Sequence, residues 1–181
     1  MIYLIIGVIA LLVIYVLVTY NVFVKMKNRV DESFSTMDVY LKKRWDLIPN
    51  IVETVKGYAK HEKSTLSEVI KLRNGAYDNM SSDEKIKANQ QLSKGITKIM
   101  ALAEQYPDLK ANENFKDLST QLTKIEDEIA NSRKYYNGTV REFNDKVQMF
   151  PSNIVANIFG YKSKVMFEAN EDERKNVKVS F

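Results

Sequence analysis

The chain has 181 residues, with 27 Lys and Arg against 23 Asp and Glu for a formal charge of +4. Acidic residues are interspersed along it, as in Asp31-Glu32 and Glu126-Asp127-Glu128, which makes a mixed solvated surface and not a nucleic-acid footprint. The lack of cysteine excludes disulfides, thiol catalysis and cysteinyl metal sites.

The first predicted element is apolar. No charged side chain occurs in residues 1–24, and residues 2–18 are almost entirely aliphatic. At 1.5 Å per residue such a helix covers about 33 Å, enough for a hydrocarbon core of about 30 Å. A cleaved leader would want a basic segment before the apolar run and a small-x-small site after it. Nothing basic precedes the run and "YVLVTYNVFVKMK" contains no such site, so residues 1–24 are expected to be an uncleaved anchor. Lys25, Lys27 and Arg29 follow at headgroup level, where each basic residue near an anionic surface gains about 1 kcal/mol. Their position predicts the N-terminus outside and the rest of the chain in the cytoplasm.

Beyond the anchor, Val30, Phe34, Met37, Leu41, Trp45, Ile48, Val52 and Val55 step by three or four, one face of an α-helix. Pro49 lies inside this pattern, where it removes the hydrogen bond to Trp45 and crowds that turn. The spacing survives on both sides, so a bent but continuous helix is expected, with Gly57 and His61 near its end. A second helix is predicted over 64–77, with Leu66, Val69 and Ile70 inward. Ser81 and Glu84 have capping-box spacing and open a third helix carrying Leu92, Ile96, Ile99 and Ala103. Tyr106-Pro107 closes it, and "DLKANENF" connects to the longest pattern, from Phe115 through Leu122, Ile129, Tyr136, Val140 and Phe143 to Phe150, which Pro151 ends. "SNIVANIFG" reads as a short helix stopped by Gly160, and "NVKVSF" as a strand or extended strap. The expected fold is all-α: the anchor (1–24), an antiparallel four-helix bundle with long helices (25–150), and a short helix and extended tail (151–181) on or near the bundle.

Several stretches look familiar together. "YNVFV", "DLIPNIVETVKGYAKHE", "AEQYPDLKANENF", "EIANSRKYYNGTVREFN", "FPSNIVANIFGY" and "MFEA" resemble the LemA family, in that order, over residues 20–167. The resemblance implies a bacterial single-pass membrane protein, N-outside, whose soluble part is a four-helix bundle. It implies no agreed catalytic activity or cofactor. By the same analogy the chain could serve as an accessory subunit of a membrane protease or envelope stress-response assembly. Trp45 departs from the family pattern, in which a more polar residue is expected there.

The residues themselves offer little catalytic equipment. A carboxylate-bridged di-iron bundle needs Glu-x-x-His on each of two helices, whereas Tyr58 lies three before His61 and there is no second histidine. No glycine-elbow motif marks a nucleophilic serine, and the glycines at 7, 57, 75, 95, 138 and 160 are too dispersed for a phosphate loop. No catalytic, cofactor or metal residue is therefore assigned, and an enzyme or metal carrier is the competing class. The basic run Lys42-Lys43-Arg44 reads as a solvated helix face with Trp45 turned inward, or else as a docking patch for an acidic partner. Candidate partner contacts are Pro49, Asn50, His61, Tyr106, Pro107, Asp108, Lys110, Tyr135 and Asn137. The expected partners are the bilayer, through residues 1–24, and a protein, with self-association left open.

The orientation is directly testable because no native cysteine interferes. With single cysteines introduced near Met1 or near Phe181, an impermeant maleimide on intact cells is expected to label the first and spare the second. Labelling at the C-terminal site alone would reverse the topology.

Overall fold

Apolar side chains three and four residues apart bury themselves most economically as helix faces. In the computed structural model, which describes residues 1–59, 61–73 and 76–168, they do so throughout. The helices are α1 (Ile2–Tyr58), α2 (Lys63–Leu72), α3 (Ser82–Ala103), α4 (Pro107–Ala111), α5 (Glu113–Gln148) and α6 (Ser152–Ile158), with a 3-10 turn at Tyr77–Asn79 and no strand among the described residues. The protein is thus all-helical. Two compact units form, one from Met1–Thr36 with Ser132–Met166 and a second from Met37–Asn131 with Phe167–Phe181.

In the first unit the N-terminal part of α1 stands clear of the rest, and the large apolar side chains from Ile2 to Val18 are exposed, apart from the half-buried Val16. Only 6 % of its most apolar 18-residue window is buried, whereas the core helix of a soluble protein would be mostly covered. Among the described residues α1 is the one helix long and apolar enough to cross a membrane. Burial begins at Thr19 and Phe23. The Phe23 ring stacks on Tyr161 at 4.8 Å and meets Phe143 edge-on at 6.1 Å, and Phe34 meets Tyr136 edge-on at 5.9 Å. Between these rings the buried hydroxyls of Ser33 and Thr139 share a 2.8 Å hydrogen bond. The segment after α6 is strapped down by α5 side chains that bond its backbone. Asn144 donates to the Lys164 carbonyl at 2.9 Å and accepts from the Lys164 N–H at 2.8 Å, while the Tyr136 hydroxyl donates to the Val165 carbonyl.

The core of the second unit draws Met37, Leu41, Trp45 and Ile48 from α1, Leu66 and Val69 from α2, Ile86, Leu92 and Ile99 from α3, and Phe115 and Leu122 from α5. Helices α2 and α3 approach closely at Gly95, where a Cβ would sit 3.1 Å from Val69 Cγ2 and 3.3 Å from Leu72 Cδ1. The start of α3 carries the expected capping box. Ser81 Oγ accepts from the Glu84 N–H, and the Glu84 carboxylate accepts from the Ser81 N–H at 2.8 Å. The Ser81 hydroxyl and N–H both favour the ionised form, which holds the Glu84 carboxyl below its ordinary pKa.

Several expectations need correcting. Helix α2 ends at Leu72, with Arg73 as its cap, and not at 77; a local 3-10 turn then buries Tyr77. Ile70 points out of α2 and is 51 % exposed, because Leu66 and Val69 already fill the face against α3. The connection "DLKANENF" contains a helix of its own, α4, with Pro107 in its first turn and Leu109 buried, since a proline that stops one helix is well shaped to start the next. Helix α5 stops at Gln148, leaving Phe150 outside it and 79 % exposed. Gly160, at φ +73°, terminates α6 as its sequence position implied. The "NVKVSF" reading lies outside the described residues.

Candidate functional site

The polar centre of the second unit is built around Arg44. Its side chain is 1 % exposed, against the expectation of a solvated or docking face; Lys43 is exposed and Lys42 pairs with Asp46 at 2.8 Å. Arg44 steps three residues from Leu41 and four before Ile48, so it shares their inward face beside Trp45. Nη1 donates to both oxygens of Glu126 on α5 at 2.9 Å and to Ser93 Oγ at 3.0 Å. Nη2 donates to the Asn89 carbonyl and to Asn89 Oδ1, each at 3.0 Å, and Nε reaches the same Oδ1 at 3.3 Å. Every guanidinium nitrogen is thus engaged by oxygens of α3 and α5, which compensates the cost of burying the charge. No vacant donor faces a substrate.

A second cluster adjoins it through Asn89. Tyr77 donates to Asp38 Oδ1 at 2.6 Å, Lys85 donates to Asp38 Oδ2 at 2.6 Å, and Asn89 Nδ2 reaches the Tyr77 hydroxyl at 3.5 Å. The Tyr77 ring lies 5.1 Å from Trp45 and carries the Lys85 ammonium 4.8 Å over its face. Burial first, and then the bond to the Asp38 carboxylate, push the Tyr77 hydroxyl far above the ordinary tyrosine pKa.

Proline 49 belongs to the same architecture. Helix α1 runs unbroken through it, and the Trp45 carbonyl, which Pro49 cannot satisfy, accepts a 3.1 Å hydrogen bond from Arg73 Nε at the end of α2. The orphaned acceptor therefore becomes an attachment point for the neighbouring helix.

Of the anticipated partner contacts, Pro49 is half-buried and Asn50 exposed on α1, and His61 is exposed in the α1–α2 turn. Asn112 donates to the Tyr58 hydroxyl at 3.0 Å, joining the end of α1 to the α4–α5 junction. That brings α4, with Pro107, Asp108 and Lys110 exposed and Tyr106 half-buried, to the same end of this unit. Lys110 is engaged by Glu104. Tyr135, half-exposed, and Asn137 belong to the first unit, as do the exposed Lys25, Lys27 and Arg29. Arg29 pairs with Glu142 at 3.0 Å.

Sequence reasoning missed the opening beside His61. A groove of about 860 Å³ runs between α1 and α2, with Val52, Ala59 and Leu66 along its floor, Ile70 beside them, and Lys56, His61 and Lys63 among its lining. Its signal was the apolar Ile70 on an outward face of α2.

The sequence profile of the LemA family matches residues 33–181. The chain belongs to the LemA family. Protein LemA of Metamycoplasma hominis is 28 % identical, over 88 % of this chain and 74 % of the relative. Magnetosome protein MamQ 2 of Paramagnetospirillum magneticum is 27 % identical, over 84 % of this chain and 65 % of the relative. Magnetosome protein MamQ of Magnetospirillum gryphiswaldense is 26 % identical, over 81 % and 63 %. This LemA-family chain spans a little under two thirds of the length of those magnetosome relatives.

The Tyr77 environment sets a pH dependence. Tyr77 ionises near 10 in the unfolded chain and stays protonated in the fold, so its contribution is whole below pH 10 and is lost as the pH rises further. Alkaline unfolding of the intact protein in detergent should lose roughly one proton of its pH-linked slope in Tyr77→Phe. An unchanged slope would show that Tyr77 titrates freely in the folded state.

Proposed function

We propose that this LemA-family protein is a membrane-anchored, non-enzymatic interaction module whose helices receive a protein segment in the α1–α2 groove. The observation that carries the reading is the groove itself, an apolar floor of Val52, Ala59 and Leu66 edged by Lys56, His61 and Lys63. Apolar floor plus basic rim fits an amphipathic segment with acidic residues beside its apolar anchors. The buried polar side chains support the same class of function, because Arg44 is enclosed by Glu126, Ser93 and Asn89, and Asp38 by Tyr77 and Lys85. The helices of the second unit are read as an antiparallel bundle, consistent with the ties from α1 to α3 and α5 through Arg44. The chain is placed in the bacterial cell membrane with the exposed apolar start of α1 spanning it, the N-terminus outside and the groove in the cytoplasm, from the basic residues at 25, 27 and 29.

A photoreactive amino acid at Ser67, inside the groove, tests this in cells. A discrete protein crosslink is expected, and it should be lost when Lys56→Glu and Lys63→Glu are combined. No light-dependent product, or one indifferent to the charge reversal, would overturn the groove as a docking site. A stoichiometric metal in the purified intact protein would instead favour the competing class.

A further inference from the structure

Helix α6 has two apolar faces and only one of them is covered. Ser152, Val155 and Ala156 are buried against the rest of the first unit. Facing outward are Met149, Phe150, Ile154, Ile158 and Phe159, at 63, 79, 52, 66 and 46 % exposure. From Met149 to Tyr161 there is no charged residue. Solvated single hydrophobics are ordinary, but five within eleven consecutive positions form a patch that asks for an occupant.

The occupant follows from where α6 is held. The Phe159 ring packs on Tyr20 at 4.7 Å, and Tyr161 lies 6.4 Å from Tyr20 and stacks on Phe23 at 4.8 Å. These contacts fix the end of α6 against the turn of α1 at which burial begins, directly after the exposed apolar stretch ending at Val18. That stretch measures about 27 Å as a helix, close to a hydrocarbon thickness of about 30 Å. The boundary of the bilayer therefore falls at Tyr20 and Phe159, an aromatic pair of the kind that sits at membrane–water interfaces. The exposed lysines at 25, 27 and 162 flank the same level and suit anionic headgroups.

We propose that α6 is a second membrane contact, an interfacial helix whose outward face, Phe150, Ile154 and Ile158 with Met149 and Phe159, enters the headgroup–acyl boundary beside the spanning segment. Two attachment points then fix the rotation of the first unit about the membrane normal, which a single spanning helix leaves free. The inference rests on α1 spanning the bilayer, and its test separates the two claims.

Single cysteines at Ile154, at Ile158, in the span at Val13 and at the exposed Ser35 of the same unit, about 22 Å along α1 from Tyr20, are labelled with an environment-sensitive fluorophore. Each labelled full-length chain is reconstituted in phosphatidylcholine–phosphatidylglycerol vesicles, with and without lipids carrying a shallow nitroxide. Labels at 154 and 158 should emit blue-shifted from the Ser35 label and lose a large part of their fluorescence to the shallow nitroxide, while Ser35 is unaffected. Water-like emission at 154 and 158 would overturn the proposal, as would blue-shifted emission that the lipid nitroxide cannot quench, the signature of a covering protein or a second copy. Loss of quenching at Val13 as well would place the failure in the span and overturn both.

Discussion

A buried guanidinium has to be surrounded before the helices around it can settle. Arg44 is removed from water while Glu126, its partner on α5, keeps 37 % of its side chain exposed. Asn89 and Ser93 supply the remaining acceptors from α3. Removing one member of a fully buried pair costs about 3–5 kcal/mol, and the partial exposure of Glu126 should bring its share down to about 2 kcal/mol. Surface pairs such as Lys98–Glu68, both half exposed, are worth about 0–1 kcal/mol each. Arg44–Glu126 joins α1 to α5, and Asn89 and Ser93 draw α3 onto the same guanidinium, so this one ion pair acts where three helices meet.

Two further polar groups are resolved in the same way, by assigning each to a neighbouring element. The Trp45 carbonyl, deprived of its intrahelical donor by Pro49, takes Arg73 from the end of α2. Asp38 takes Tyr77 and Lys85, binding the 3-10 turn and α3 to α1. A proline in "DLIPNIVETVKGYAKHE" thus has a structural reason, and the helix through it is continuous because the exposed acceptor is given a partner. What stays open lies elsewhere, in the groove by His61 and on the outer face of α6.

Helix content and most inward positions were legible because Leu41, Ile48, Leu92, Ile99 and Tyr136 repeat with the helical period, and burial follows the period. The capping box at Ser81 and the stop at Gly160 were legible because they depend on local backbone geometry. Arg44 was misread because a charge beside two lysines looks solvated until Asn89, Ser93 and Glu126 are found facing it. The signal was present as polar residues at core positions on three separate helices, but only tertiary pairing distinguishes that from scattered surface polarity. Ile70 and Phe150 were likewise absorbed into a core that had no room for them. Of the candidate partner contacts, Tyr135 and Asn137 fold into a different unit from the His61 end.

One satisfied buried cation organises the helices of the second unit. A double-mutant cycle on Arg44→Met and Glu126→Gln, read from unfolding of the full-length protein in detergent, measures it most directly. The account predicts that Glu126→Gln costs about 2 kcal/mol while Arg44 is present and close to nothing once Arg44 is methionine. An equal cost in both backgrounds would contradict it, since Glu126 would then contribute without reference to the guanidinium it encloses.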